Sequence, residues 1–193
     1  MIVQIVVFSL LCLFYITYFT KMLLLKKQGI LGDLLGKGEK PKKEIRIEIF
    51  LKSVTYIGAA VQFFSTLFIG YSWSFALSFP IQIFGIILVA AVVFFFVLSV
   101  TTMRNNWRAG FDEKQYTALV TTGIYGISRN PAFVGFNLLY IGCSLVVSNI
   151  FIIIITVIAI GAFHIQILGE ERFLAEKFGQ EYVMYRNKVR RYF

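Results

Sequence analysis

The stretch "GIYGISRNPAFVGF" at 123–136 sets Arg129 and Asn130 directly before Pro131, at the start of an apolar run that continues to Val147. Glu170 and Glu171 close the apolar run that follows, and the chain's one histidine, His164, lies just before them. Polar side chains set against long apolar runs are costly and point to function by default. A guanidinium pairs with a carboxylate through two parallel hydrogen bonds. A carboxylate holds an ammonium group or a pair of hydroxyls, and an imidazole or carboxylate can accept a proton when an acceptor must lose one. The same residues also admit a purely structural use, an ion pair of Arg129 with Glu170 or Glu171 that fastens two elements together.

Whether these groups meet depends on the elements that carry them. Of the 193 residues, 58% are hydrophobic and only 15% are charged, and mean hydropathy is +0.77. Soluble domains hold about 45–50% apolar and about 25% charged residues. The excess is blocked into long uncharged runs at 1–20, 53–103 and 131–169, and about 20 apolar residues suffice for a helix to cross a bilayer. The pattern predicts an all-α membrane protein with about five transmembrane helices. The first runs over Ile2–Thr20 and the second over Phe50–Gly70. The third runs over Ile81–Val100 behind Pro80, which suits a first helical turn. Ser148-Asn149 splits 131–168 into the last two. A cleavable signal peptide is disfavoured for the first run, because no basic residues precede it and no small-residue cleavage pattern follows it.

Charge sets the orientation. All 19 Lys and Arg fall within 21–52, 102–130 or 170–193, and the acidic residues share those segments. Basic loops favour the cytoplasm, so the expectation is an N-terminus outside and a cytoplasmic C-terminus. Polar chemistry is then expected on that one side. The net charge of +9 fits this orientation and attraction to anionic headgroups. It does not suit nucleic-acid binding, which asks for a basic face with aromatic stacking platforms. Cys12 and Cys143 both fall inside predicted spans as packing residues, and no metal-ligand spacing occurs.

The connecting segments differ in content. "KKQGILGDLLGKGEKPKKEIRIE" at 26–48 contains Gly36-Lys37-Gly38, but it lacks the Ser or Thr and the earlier Gly of a phosphate loop. It reads as a cytoplasmic linker without chemistry. "EIRIEIF" alternates over a few residues and fits either a strand-like or an interfacial piece. The segment 101–131 carries Trp107, Asp112, Glu113, Tyr116 and Tyr125. In the C-terminal segment, Phe173, Leu174, Phe178, Tyr182 and Tyr185 recur at near-helical spacing, which predicts a cytoplasmic C-terminal helix. Because Ser148-Asn149 folds the last two spans into a hairpin, Arg129-Asn130 and Glu170-Glu171 return to one surface. His164, Leu168 and Glu171 share a helical face there.

"GIYGISRNPAFVGFNLL" resembles the G-x-Y-x-x-x-R-H-P-x-Y-x-G signature of the isoprenylcysteine carboxyl methyltransferase and phospholipid methyltransferase superfamily. "HIQILGEERFLAEKFGQEYVMYRNKVRRYF" resembles that superfamily's E-E-x-x-L-x-x-x-F-G-x-x-Y-x-x-Y ending, and "NNW" at 105–107 its short Trp motif. The likeness covers roughly 104–193, about half the chain. It implies a multispan enzyme that binds S-adenosylmethionine in a cytoplasmic pocket and takes a lipophilic small-molecule substrate from the membrane lipid. The chain then divides into N-terminal spans with a basic loop (1–101) and a cofactor-binding catalytic core (102–193).

By motif position, Tyr125, Arg129, Asn130 and Pro131 line that pocket, and His164, Glu170 and Glu171 close it from the other helix. Tyr182 offers an aromatic face to the sulfonium, and Arg129 and Glu171 carry the catalytic roles. Two departures stand out: Asn130 replaces the signature's His, and Phe133 replaces its second Tyr. Asn hydrogen-bonds but cannot take a proton. Two other readings remain open at this point, a membrane lipid reductase using NADPH and an inactive membrane scaffold of the same fold.

Overall fold

The computed structural model describes residues 2–68, 75, 77–112, 114 and 118–193. These residues form six α-helices: α1 (Ile2–Lys27), α2 (Lys42–Leu67), α3 (Phe79–Met103), α4 (Pro131–Val147), α5 (Ile150–Phe178) and α6 (Gln180–Lys188). Short 3-10 turns cover Arg104–Asn106 and Gly123–Gly126. Helices α1, α2, α3 and α5 are long and apolar enough to cross a membrane, and α4 is an apolar helix of 17 residues that pairs with α5. The chain is an all-α membrane protein with about five transmembrane helices, as its composition predicts. Gly70, Glu113 and Tyr116 lie outside the described residues.

Helix starts follow local chemistry. Pro80 sits in the first turn of α3 and Pro131 opens α4, where a missing N–H costs nothing. The hairpin turn uses two residues. Ser148 ends α4 in the left-handed conformation (φ 47°), and the Asn149 side chain accepts from the Ile152 amide at 2.9 Å to cap α5.

Packing runs mainly between α3 and α4 and between α2 and α5. Gly85 and Gly142 let α3 and α4 approach backbone to backbone, since a Cβ on Gly142 would lie 2.7 Å from the Gly85 carbonyl oxygen. Small residues at such crossings are the usual device for helices in lipid. The centre is aromatic: Phe14, Phe96 and Phe136 meet edge-on or tilted, and Trp107 closes over Phe96. Tyr15 donates to Gln62 Oε1 at 2.9 Å and ties α1 to α2.

Two boundaries extend past the apolar runs. Helix α1 continues to Lys27, and α2 begins at Lys42, so "EIRIEIF" is helical. The period-2 alternation there coexists with an i, i+4, i+8 set, Glu44, Glu48 and Lys52, and in the helix that forms Glu44 and Glu48 are buried. The C-terminal segment is two helices, with Gly179 at φ 52° making the break. Helix α5 has 29 residues, about 43 Å at 1.5 Å per residue. This exceeds a hydrocarbon core of about 30 Å, so α5 projects its last turns, with Glu170 and Glu171, past the apolar layer.

Candidate active site

Two polar assemblies with different partners meet at this end of α5, one at Glu171 and one at Glu170. The first is built on Glu171. Arg129, just before α4, donates from Nη2 to Glu171 Oε1 at 2.8 Å and from Nε at 3.2 Å. Its Nη1 reaches the carbonyls of Arg186 and Val189 at 3.1 and 2.7 Å. Arg191 grips the same carboxylate from the other side, with Nη2 2.8 Å from Oε2. The Asn130 amide donates to Glu171 Oε1 at 3.3 Å and to the Arg191 carbonyl at 3.2 Å. A backbone bridge between Ser128 and Arg190 continues the attachment.

Around this knot, His164 Nδ1 lies 2.7 Å from the Tyr192 hydroxyl, and the Tyr185 hydroxyl donates to the Tyr125 carbonyl at 2.7 Å. Tyr182 is buried against the same pair of helices, and burial, with Glu171 adding, pushes its phenol up to about 12. The hydrogen bond from Arg191 to Glu171 raises the guanidinium's pKa further above its ordinary value. The structure thus gathers Tyr125, Arg129, Asn130, Pro131, Glu171 and Tyr182 around the C-terminal residues. His164 engages Tyr192 rather than the glutamates.

The second assembly faces a cavity of about 560 Å³ between α1, α2, α4 and α5, under a roof made by the α1–α2 connection and residues 107–110. The roof is stitched by paired backbone bonds, Leu34 N to Ala109 O at 2.9 Å and Ala109 N to Gly32 O at 2.8 Å. The walls are aromatic, with Tyr18, Tyr56, Trp107, Phe136 and Phe163 among them, and the lining also includes Asp33, Lys52, Arg108 and Glu170. Burial by itself would raise the Asp33 carboxyl, but hydrogen bonds from Lys52 (2.5 Å) and Lys37 (3.2 Å) more than offset it and hold it below the usual carboxylate range.

Behind Glu170 lies a chain of buried groups. Gln166 Nε2 donates to Glu170 Oε1 at 3.0 Å and to Glu48 Oε1 at 3.4 Å. Glu48 Oε2 accepts from Lys40 Nζ at 2.7 Å and from the Gly36 amide at 2.8 Å. The Lys40 and Glu48 side chains are both 0% exposed. Gly36 therefore turns its amide to an internal carboxylate and not to a phosphate.

Asp33, Lys40, Glu48 and Lys52 were not legible as site residues. Their segment reads as a polar linker, and its apolar neighbours hide the spacing. The available signal is the i, i+4, i+8 series of charges on α2, costly to bury unless paired.

A family model described as phospholipid methyltransferase matches residues 80–181. Over 72 residues the chain is 39% identical to the protein-S-isoprenylcysteine O-methyltransferase of Saccharomyces cerevisiae, covering 37% of this chain and 30% of that one. The chain thus spans less than a third of that relative's length.

Proposed function

The chain belongs to the phospholipid methyltransferase family, and from that premise we propose that it is an S-adenosylmethionine-dependent methyltransferase of a lipophilic acceptor. The acceptor class is an isoprenylcysteine-like carboxylate, a phospholipid amine, or an isoprenoid or quinone. The proposed orientation puts the N-terminus outside and the active site on the cytoplasmic side, where the charged segments gather.

The observation that carries this reading is a cavity whose lining combines aromatic walls with Glu170. A sulfonium is a cation, and a carboxylate with aromatic faces such as Tyr18, Tyr56 and Trp107 is chemistry that attracts one. Lys52 and Arg108, in the same lining, suit the methionyl carboxylate or an anionic acceptor. S-adenosylmethionine, when bound, supplies an electrophilic methyl group. The chain's own part is to hold an acceptor in line with that methyl and to exclude water beneath the roof. The apolar walls, continuous with the membrane-level helices, suit a lipophilic tail.

Transfer to a carboxylate needs no general base. Transfer to an amine does, and Glu170 is the carboxylate at hand on the cavity wall. In this reading Arg129, Asn130 and Glu171, with Tyr125, Pro131, His164 and Tyr182 around them, seal the far side of α5. Direct pairing of Arg129 with the donor would require its bonds to the Arg186 and Val189 carbonyls to open.

The test is calorimetric titration of the detergent-purified chain with S-adenosylmethionine and S-adenosylhomocysteine, with NADPH for comparison. Saturable binding of the adenosyl ligands alone is expected. Preference for NADPH, or binding of none of the three, overturns the proposal.

A further inference from the structure

We propose that Gln166 and Glu48 are positioning residues that hold the Glu170 carboxylate toward the cavity, from an anchor that lies outside the family-matched residues. The inference rests on the methyl-donor reading of the cavity.

The amide of Gln166 lies between two carboxylates. Its Nε2 donates to Glu170 at 3.0 Å and to Glu48 at 3.4 Å, while its Oε1 is buried and accepts no hydrogen bond among the described residues. An amide oriented this way gives its N–H donors to the two carboxyl groups and leaves its oxygen idle, which identifies those two groups as what fixes it. Gln166 and Glu48 are 1% and 0% exposed, so neither bond competes with solvent.

Glu48 is in turn immobilised. Lys40 Nζ at 2.7 Å and the Gly36 amide at 2.8 Å both hold its Oε2, leaving Oε1 directed at Gln166. Lys40 also lies over the Phe111 ring, 4.8 Å from its centroid. Nearby, Gly169 leaves room for the Glu44 side chain of α2: a Cβ there would lie 2.6 Å from Glu44 Oε2. Burying Glu48 and Lys40 is costly without such satisfaction, and a closed chain ending on a cavity-lining carboxylate gives that cost a use. Residues 36–48 lie N-terminal to the matched 80–181. The family-matched half therefore carries Glu170, and the N-terminal half aims it.

Glu170 is assigned to face a cation, so a loss of aim should show as a loss of charge discrimination. S-adenosylmethionine carries a sulfonium and S-adenosylhomocysteine a neutral thioether, and otherwise the two match. The experiment measures both dissociation constants on the detergent-purified full chain for wild type, for Gln166→Leu, and for Lys40→Met combined with Glu48→Leu. The double variant replaces the buried pair by apolar groups of similar volume and so tends to keep the fold. Thermal unfolding in the same detergent checks each protein.

Both variants are expected to weaken the cationic ligand about tenfold relative to the neutral one, roughly the worth of one charge-assisted contact. A variant that weakens both ligands equally, or neither, overturns the positioning role while leaving the methyl-donor reading intact. Wild-type protein that binds neither ligand overturns that reading and this inference with it.

Discussion

Glu170 and Glu171 are consecutive residues of α5 that serve two different neighbourhoods. Glu170 takes the Gln166 amide and borders the cavity, whereas Glu171 takes Arg129, Asn130 and Arg191. A step of one residue turns a helix by about 100°, since 3.6 residues complete a turn, so a doubled carboxylate naturally serves two neighbourhoods. One of them is open to a ligand, and the other is consumed by internal partners.

The two glutamates should therefore separate by readout. Glu170→Gln keeps an acceptor for Gln166 and is expected to leave the unfolding midpoint nearly unchanged while weakening S-adenosylmethionine binding about tenfold. Glu171→Gln leaves two arginines facing a neutral amide and is expected to cost about 3 kcal/mol of stability. Thermal unfolding and calorimetric titration on the same samples check the pair. Equal behaviour of the two variants would contradict the division.

Arg129 holds the C-terminal residues as much as it holds Glu171, through the carbonyls of Arg186 and Val189. Arg129→Ala should release them. Limited trypsin digestion is expected to cut after Arg186 or Arg190 at least about tenfold faster than in wild type, as local opening falls in cost. Unchanged cleavage would mean that the Tyr192 contact with His164 suffices to hold the tail.

Gly110 turns the roof with φ +82°, and a Cβ at this position would lie 2.9 Å from Glu48 Oε1. Gly110→Ala therefore combines a left-handed backbone with a collision against a buried carboxylate. A loss of about 2 kcal/mol is expected, from strain of about 1–3 kcal/mol at such positions. Unfolding in denaturant measures it, and a neutral result would show that the roof relaxes freely.

Acid should loosen the roof. The Asp33 carboxyl is held below its ordinary value because hydrogen bonds from Lys52 and Lys37 outweigh the effect of burial. A depressed folded pKa stabilises above the unfolded value of about 3.9, and that stabilisation is lost as pH falls through the folded value. Wild type should thus lose unfolding temperature below about pH 4 more steeply than Asp33→Asn. Parallel acid limbs for the two proteins would remove Asp33 from the linkage.

Much of the architecture could be read from the chain itself. The spans follow from uncharged runs, the hairpin from Ser148-Asn149, and the meeting of Arg129, Asn130 and Glu171 from folding that hairpin back. The cavity's polar roof was not legible. Its contacts join residues far apart in sequence, such as Glu48 with Gln166, and no local pattern encodes them. The charges of α2 sit among apolar residues in an alternation that also suits a strand, so only the folded helix shows that they point inward. His164 shares a helical face with Glu171, and a residue distant in sequence, Tyr192, takes its ring.

Helices α4 and α5 leave one two-residue turn with unequal lengths, 17 and 29 residues. The shorter arm reaches about 25 Å, less than a typical hydrocarbon thickness of about 30 Å, and the longer arm overshoots it. Hydrophobic mismatch of this kind is relieved by tilting helices or deforming the bilayer, and tilt displaces the tip of the longer arm most. Glu170 and Glu171 ride near that tip. A change in membrane thickness, set by acyl-chain length and sterol content, would therefore act on the carboxylates through the tilt of α5.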